Sequence, residues 1–259
     1  MSEKLKIRKL GQGPDLVLIH GWGMNSAIWG GVVDALAAEF RLHLVDLPGH
    51  GVNRHIPLSQ DLNAVSELIL SEVPPACWLG WSLGGLVTLA AAFQQPLKIK
   101  KMLLIAATPS FSEQQDWDCG LGIAAQQAFT DGLEKNFDET LHQFCLQTFG
   151  PKWMPEALER LGQGGLVDNI PDEKTLKTGL HLLYDNNVMT ELDRIRIPAL
   201  WLGGSRDRTI RPESFARAAS LMPAGAASMI TGAGHAPFIS HEEKFLDIVR
   251  GFLHEGRKA

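Results

Sequence analysis

The sequence predicts a doubly wound α/β protein with a mostly parallel sheet, and three observations carry that reading. Short apolar runs rich in Val, Ile and Leu recur along the chain. Segments of helical periodicity separate them. The runs are near-continuous instead of alternating, the pattern of strands buried on both faces by covering helices. The length of 259 residues suits one α/β domain carrying an insertion.

In chain order, the alternation of Leu5 and Ile7 with Lys4, Lys6 and Arg8 predicts an amphipathic edge strand. Buried strands are predicted at Leu16–Ile19, Leu42–Val45, Cys77–Leu79, Met102–Ile105, Ala199–Leu202 and Ser228–Ile230. The rhythm breaks between about Phe111 and Thr190, where the pattern is helical, with loop signals at Gly162–Gly165 and Ile170–Asp172. The expected organisation is a core of residues 1–110 and 191–259 with a helical lid insertion over 111–190. Ligands of open α/β sheets bind at the carboxyl ends of the strands, so an insertion leaving from such an end would cover the site.

Composition narrows the function. Hydrophobic residues make up 45% and charged residues 20%, as in an ordinary soluble globular protein. A net charge of −5 argues against general nucleic-acid affinity. No apolar run reaches the length of a membrane span, and the start of the chain carries no apolar signal-peptide core, so a cytoplasmic protein without a membrane partner is expected. Cys77, Cys119 and Cys145 are an odd, unclustered set that suggests neither disulfides nor a zinc site. The reading also expects a monomer.

The chemistry concentrates at strand ends. Gly80-Trp81-Ser82-Leu83-Gly84 follows an apolar strand and precedes the apolar segment Leu86–Phe93. Strand, serine between glycines, then helix is the context of a nucleophile elbow, where a tight turn lifts the serine Oγ clear of the backbone. A serine nucleophile needs a base, an acid that orients the base, and donors for the oxyanion. His235 stands in the glycine-flanked Gly232–Phe238 loop after the last strand, and Asp207 in Gly203–Arg208 after the preceding one. The turn His20-Gly21-Trp22-Gly23 after the first buried strand offers the Trp22 N–H, to pair with that of Leu83 as an oxyanion hole. Each residue has a plainer reading. His241, six positions past His235, is the rival base but lacks the strand-end setting. His50, His55, His142, His181 and His254 read as surface or structural residues. His20 reads as shaping its turn, and Asp46 as organising the Asp46–Gly51 turn. Asp207 alone would pass for a helix cap or a partner of Arg206 or Arg208. The joint occurrence of four motifs, all at strand ends, favours catalysis by Ser82.

The segments HGWGMNSAIW, DLPGHG, GWSLGG, GGSRDRTI and GAGHAPFISH resemble the α/β-hydrolase superfamily, whose triad runs in the order Ser, Asp, His. More narrowly, LHLVDLPGHG, WLGWSLGGLV and HAPFISH resemble the biotin-pathway carboxylesterases. The resemblance spans residues 14–108 and 195–250; the insertion matches poorly apart from Phe144–Thr148. It implies the α/β-hydrolase fold and a serine esterase acting, without metal or organic cofactor, on a pimeloyl methyl ester held by acyl carrier protein, and on small esters. It further implies that Trp22, Ser82, Leu83, His235 and the lid residues Gln143, Phe144, Cys145, Leu146 and Gln147 line the substrate. Helical spacing alone lets Phe144 and Leu146 be lid core. A general short-chain esterase or a carbon–carbon bond hydrolase with the same triad is the alternative, with a non-catalytic binding protein on this fold behind it. One feature departs from the resemblance. Thirteen carboxylates against five Lys/Arg give Phe111–Thr190 a net charge of −8, leaving +3 elsewhere. The resemblance implies lid arginines that dock an acidic carrier, and like-sign surfaces oppose docking. Lys152 with Arg160, or Arg206, Arg208 and Arg211 beside the site, are the cationic candidates.

Overall fold

The structure, a computed structural model, describes residues 4–162 and 170–255. Part of the expected Gly162–Gly165 loop therefore lies outside the described residues. Seven strands form one sheet: β1 (Ile7–Leu10), β2 (Asp15–Ile19), β3 (Arg41–Val45), β4 (Ala76–Trp81), β5 (Ile99–Ile105), β6 (Ala199–Gly204) and β7 (Gly225–Ile230). Their order is β1-β3-β2-β4-β5-β6-β7, with β1 antiparallel to β3 and every other pair parallel. The α-helices among the described residues are α1 (Gly30–Ala37), α2 (Leu62–Glu72), α3 (Leu83–Gln94), α4 (Ile123–Lys135), α5 (Phe137–Leu161), α6 (Glu173–Tyr184), α7 (Glu213–Ser220), α8 (Pro237–Ser240) and α9 (Glu242–His254).

Alternation along the strands divides the core into two faces. Val17, Ile19, Val45, Trp78 and Leu104 point to one side, where α2, α3 and α7 bury Val65, Leu86 and Phe215. Leu16, Leu18, Leu44, Leu79 and Ile105 point to the other, covered by Val32 of α1 and Phe245 of α9. A strand side chain reverses face at each residue, so a sheet covered on both sides needs apolar residues at consecutive positions. That is why β2 and β4 read as continuous apolar runs. The expected strand at Ser228–Ile230 is present but differs in burial. Gly225–Ile230 is an edge strand with β6 as its only neighbour among the described residues, and Met229 is 51% exposed.

Among the described residues, three α-helices come between β5 and β6. Helix α5 breaks at Gly150, whose φ of +74° and ψ of 162° precede Pro151. Proline removes an N–H and pushes the preceding residue to extended ψ, and glycine tolerates the positive φ. Helix α6 starts at Asp172, whose side chain accepts the Thr175 N–H at 2.7 Å. A cap of this kind contributes about 1 kcal/mol. Leu176, Leu180 and Leu183 then fall on one buried face of α6.

Candidate active site

Ser82 sits at the junction of β4 and α3 with φ +54° and ψ −115°. This is backbone space that residues with a Cβ rarely occupy, and such strain persists only where neighbours over-determine it. Here they do. Ser82 N–H donates to Ile105 O at 2.9 Å, and Ser82 O accepts from Gly85 N–H at 2.9 Å. A Cβ at Gly80 would lie 2.1 Å from Gly84 O, and one at Gly84 would lie 2.3 Å from Ile19 O. The glycines around the serine are thus required by the close approach of β4, α3 and the end of β2. Leu83 opens α3, where amide N–H groups have no partner within the helix and the helix dipole is positive.

The loops after β6 and β7 lie against each other. Arg206 N–H donates to Ala233 O at 2.8 Å, and Gly232 N–H to Ser205 Oγ at 2.9 Å. Asp207 Oδ1 accepts from Thr209 N–H (2.8 Å) and Ile210 N–H (3.0 Å), and its Oδ2 lies 2.8 Å from His235 Nδ1. Both side chains are buried. A carboxylate only accepts, so Nδ1 carries a proton, and the tautomer this bond selects for the neutral ring has its lone pair on Nε2, the form a general base requires. Trp81, the residue before Ser82, donates its indole N–H to His235 O at 2.9 Å. The histidine loop is therefore tied directly to the elbow.

The turn after β2 completes the arrangement. Gly21 faces the Trp81 ring, where a Cβ would come within 3.0 Å. His20 Nε2 accepts the Leu47 N–H at 3.0 Å, so its Nδ1–H donates to Gly21 O at 2.8 Å. Burial lowers the His20 pKa and keeps the ring neutral, with the Asp46 charge opposing. His50, its ring 5.0 Å from that of His20, is pushed down to about 3 by burial and by His20. Asp46 accepts from Ser26 N–H (2.6 Å) and Val52 N–H (3.0 Å), which fixes its own turn. His241 stands at the N-cap position of α9 without a side-chain capping bond, and its Nδ1 contacts Ser240 Oγ at 2.9 Å. His181 and His254 pair at the surface with Asp185 and Glu39.

Ser82 opens into a cavity of about 230 Å³. Trp22, Phe111, Phe129, Phe144, Leu180 and Leu183 give it an apolar lining, and Tyr184, Arg208 and Gln147 add polar groups. Burial pushes the Tyr184 phenol up to about 12, so it stays neutral. Of the five expected lid residues, Phe144 and Gln147 face the cavity. They are one helical turn apart, and the residues between them point elsewhere. Gln143 is exposed and donates to Glu139 at 2.7 Å; Cys145 is buried in the core beside Phe149, its thiol pushed up to about 12 by burial; Leu146 is half-buried. Gln147 Nε2 donates to Arg208 O at 2.8 Å, joining α5 to the loop that carries Asp207. Phe111, Phe129, Leu180 and Leu183 were not singled out from sequence. The apolar face of α6 was the available signal, but its facing Ser82 depends on tertiary packing.

The cations of 111–190 are largely engaged. Lys177 bridges Glu134 and Glu173, Lys135 pairs with Asp131, Arg160 with Glu156 and Glu242, and Lys152 lies over the Trp153 ring. Arg206, Arg208 and Arg211 are exposed. Among the described residues no group of three or more His, Cys, Asp or Glu is arranged to hold a metal, and no helix is long and apolar enough to cross a membrane.

Comparison with known proteins places the chain. Residues 16–248 match the alpha/beta hydrolase family. A pimeloyl-[acyl-carrier protein] methyl ester esterase of Xylella fastidiosa is 38% identical over 250 residues, covering 95% of this chain and 98% of that one. Its namesake in Stenotrophomonas maltophilia is 39% identical over 244 residues, covering 94% of each. A hydrolase from Oleispira antarctica has the same fold, with a TM-score of 0.87 over 98% of this chain and 96% of its own at 17% identity. By its elbow, its sheet and these full-length similarities, the chain belongs to the alpha/beta hydrolase family and, within it, to the family of the pimeloyl-[acyl-carrier protein] methyl ester esterases.

Proposed function

We propose that this protein is a serine esterase that hydrolyses the methyl ester of pimeloyl-[acyl-carrier protein] methyl ester, releasing methanol and leaving pimeloyl-carrier protein for biotin synthesis. The observation that carries the reading is the strained Ser82 opening into a mainly apolar cavity, with the buried His235–Asp207 pair tied to the elbow through the Trp81 indole. The cavity of about 230 Å³ has a mainly apolar wall, which suits the acyl part of an ester next to the serine. Residues 111–190 are taken as the lid, since α4, α5 and α6 supply most of the cavity wall.

The proposed mechanism is a two-step acyl transfer. Ser82 Oγ attacks the ester carbonyl as His235 Nε2 takes its proton. The N–H groups of Trp22 and Leu83 receive the oxyanion, two donors already in place when the charge develops. His235 returns the proton to the departing methoxide, and water then attacks the acyl-enzyme by the same route. Asp207 fixes the imidazole tautomer through its 2.8 Å hydrogen bond and stabilises the imidazolium. Every group in the cycle is an ordinary side chain or amide, so the reading assigns no metal or organic cofactor.

The carrier would approach the cytoplasmic, monomeric enzyme on the exposed Arg206 and Arg208 beside the cavity, because Arg160 is held by Glu156 and Glu242. The acidity of 111–190 favours a second reading, a general esterase for small esters that no acidic carrier needs to approach. Growth without biotin of a bacterial strain lacking its pimeloyl-carrier esterase separates the two. Rescue by the wild type and not by Ser82→Ala is expected. Failure to rescue by protein that is expressed and active on simple esters would favour the general esterase.

A further inference from the structure

The oxyanion turn is held from two sides, and the second hold comes from the lid. Gly21 O and Trp22 N–H are the two ends of one peptide unit. From the core side, His20 Nδ1–H binds Gly21 O at 2.8 Å, and the Met24 N–H closes the turn onto the same oxygen at 3.3 Å. The Trp22 side chain leaves toward α6, where its indole N–H donates to Leu176 O in the first turn at 2.9 Å. One helical turn on, Gly179 lies against the same ring: a Cβ there would come 2.6 Å from Cδ1 and 2.9 Å from Nε1. Phe144 and Phe129 meet the ring edge-on at centroid distances of 4.9 and 5.6 Å, so it has little freedom to retreat.

A glycine inside α6 asks for a reason, since it weakens a helix by about 1 kcal/mol relative to alanine. Gly179 has no positive φ to explain it. Its close approach to Trp22 does. We propose that the Trp22 indole is a latch through which α6 holds the Gly21–Trp22 peptide in its oxyanion-binding position, and that Gly179 is the positioning residue that admits the latch. Closing of α6 and assembly of the oxyanion hole are then one event. This rests on the esterase reading above.

The test uses the full chain and p-nitrophenyl butyrate. Gly179→Ala displaces the ring, and the turn with it. A shift of under an ångström in a catalytic donor is expected to lower kcat on the order of ten- to a hundredfold. KM is expected to change less than about threefold, because ground-state contacts persist. Affinity for a trifluoromethyl ketone, whose tetrahedral adduct needs the oxyanion donors, is expected to fall in parallel with kcat/KM. A merely loosened fold would not move these two together. In a Trp22→Phe background the ring is smaller and the latch already gone, so adding Gly179→Ala is expected to cost less than about threefold. Unchanged kcat, a rise in KM alone, or equal cost of Gly179→Ala in both backgrounds would overturn the latch. If Gly179→Ala does not fold, Trp22→Phe alone must show the parallel loss, and its absence overturns the proposal. A wild type inactive on every ester would overturn the esterase reading itself, whereas an active wild type with an unaffected Gly179→Ala overturns the latch only.

Discussion

Replacing Asp207 by asparagine isolates the tautomer of His235 with almost no change in shape. Asp207 Oδ1 is committed to two backbone donors, Thr209 N–H at 2.8 Å and Ile210 N–H at 3.0 Å. In Asp207→Asn the amide oxygen must take that position, because the NH₂ group would otherwise face two donors. The NH₂ then faces His235 Nδ1, 2.8 Å away in the wild type, and only a lone pair on Nδ1 can meet it. The proton moves to Nε2, and the nitrogen that should accept the Ser82 proton no longer can. The expected loss in kcat is about 10⁴, or about 5 kcal/mol of transition-state stabilisation. The melting temperature should change little, since no buried group loses its partner. The assay is kcat and KM on p-nitrophenyl butyrate beside a thermal melt. Activity within tenfold of wild type in folded Asp207→Asn would refute the assignment of Asp207 as the residue that orients the base.

Two further predictions concern charge. His20 and His50 are kept neutral in the fold, His50 with its pKa lowered from 6.5 to about 3 and His20 lowered as well. Above pH 6.5 both are neutral folded or unfolded; below it the unfolded chain gains protons that the fold refuses. Stability should therefore decline on acidification from pH 6.5 toward the lowered folded values, by up to about 1.4 kcal/mol per pH unit for each group. Urea melts near neutrality and at about pH 5 measure the slope. His50→Asn should flatten it by one proton, and an unchanged slope would refute the assignment to His50. Arg206→Glu with Arg208→Glu should slow turnover of a carrier-linked ester more than that of p-nitrophenyl butyrate, and most at low salt. Equal effects on the two substrates would rule out docking on that surface.

How far the sequence foretold this depends on how local each signal is. Strands β2 and β4 were legible because burial on both faces demands unbroken apolar runs such as Leu16–Ile19. Strand β7 was legible in position and not in exposure, since a short run does not say whether a strand has one neighbour or two. The elbow was readable from Gly80 to Gly84 because the approach of strand, serine and helix must fit within a few residues. The contact between Asp207 and His235 spans 28 positions and was inferred only from both lying at strand ends. The cavity wall was less legible. A contiguous segment, Gln143–Gln147, was expected to line it, whereas helical geometry sends only Phe144 and Gln147 inward and turns Gln143 to solvent and Cys145 to the core. Phe111, Phe129 and Leu180 come from three separate segments, and no local pattern brings them together. The latch from Trp22 to Leu176, across 154 positions, has no signature beyond a glycine inside a helix.

The most direct test of the central claim is the mass of pimeloyl methyl ester carrier protein after incubation with the purified enzyme. The expected result is conversion to the free-acid mass with release of methanol, and loss of that conversion on the order of 10⁶-fold in Ser82→Ala. A carrier-linked ester left intact by protein that hydrolyses p-nitrophenyl butyrate, or conversion undiminished in Ser82→Ala, would contradict it.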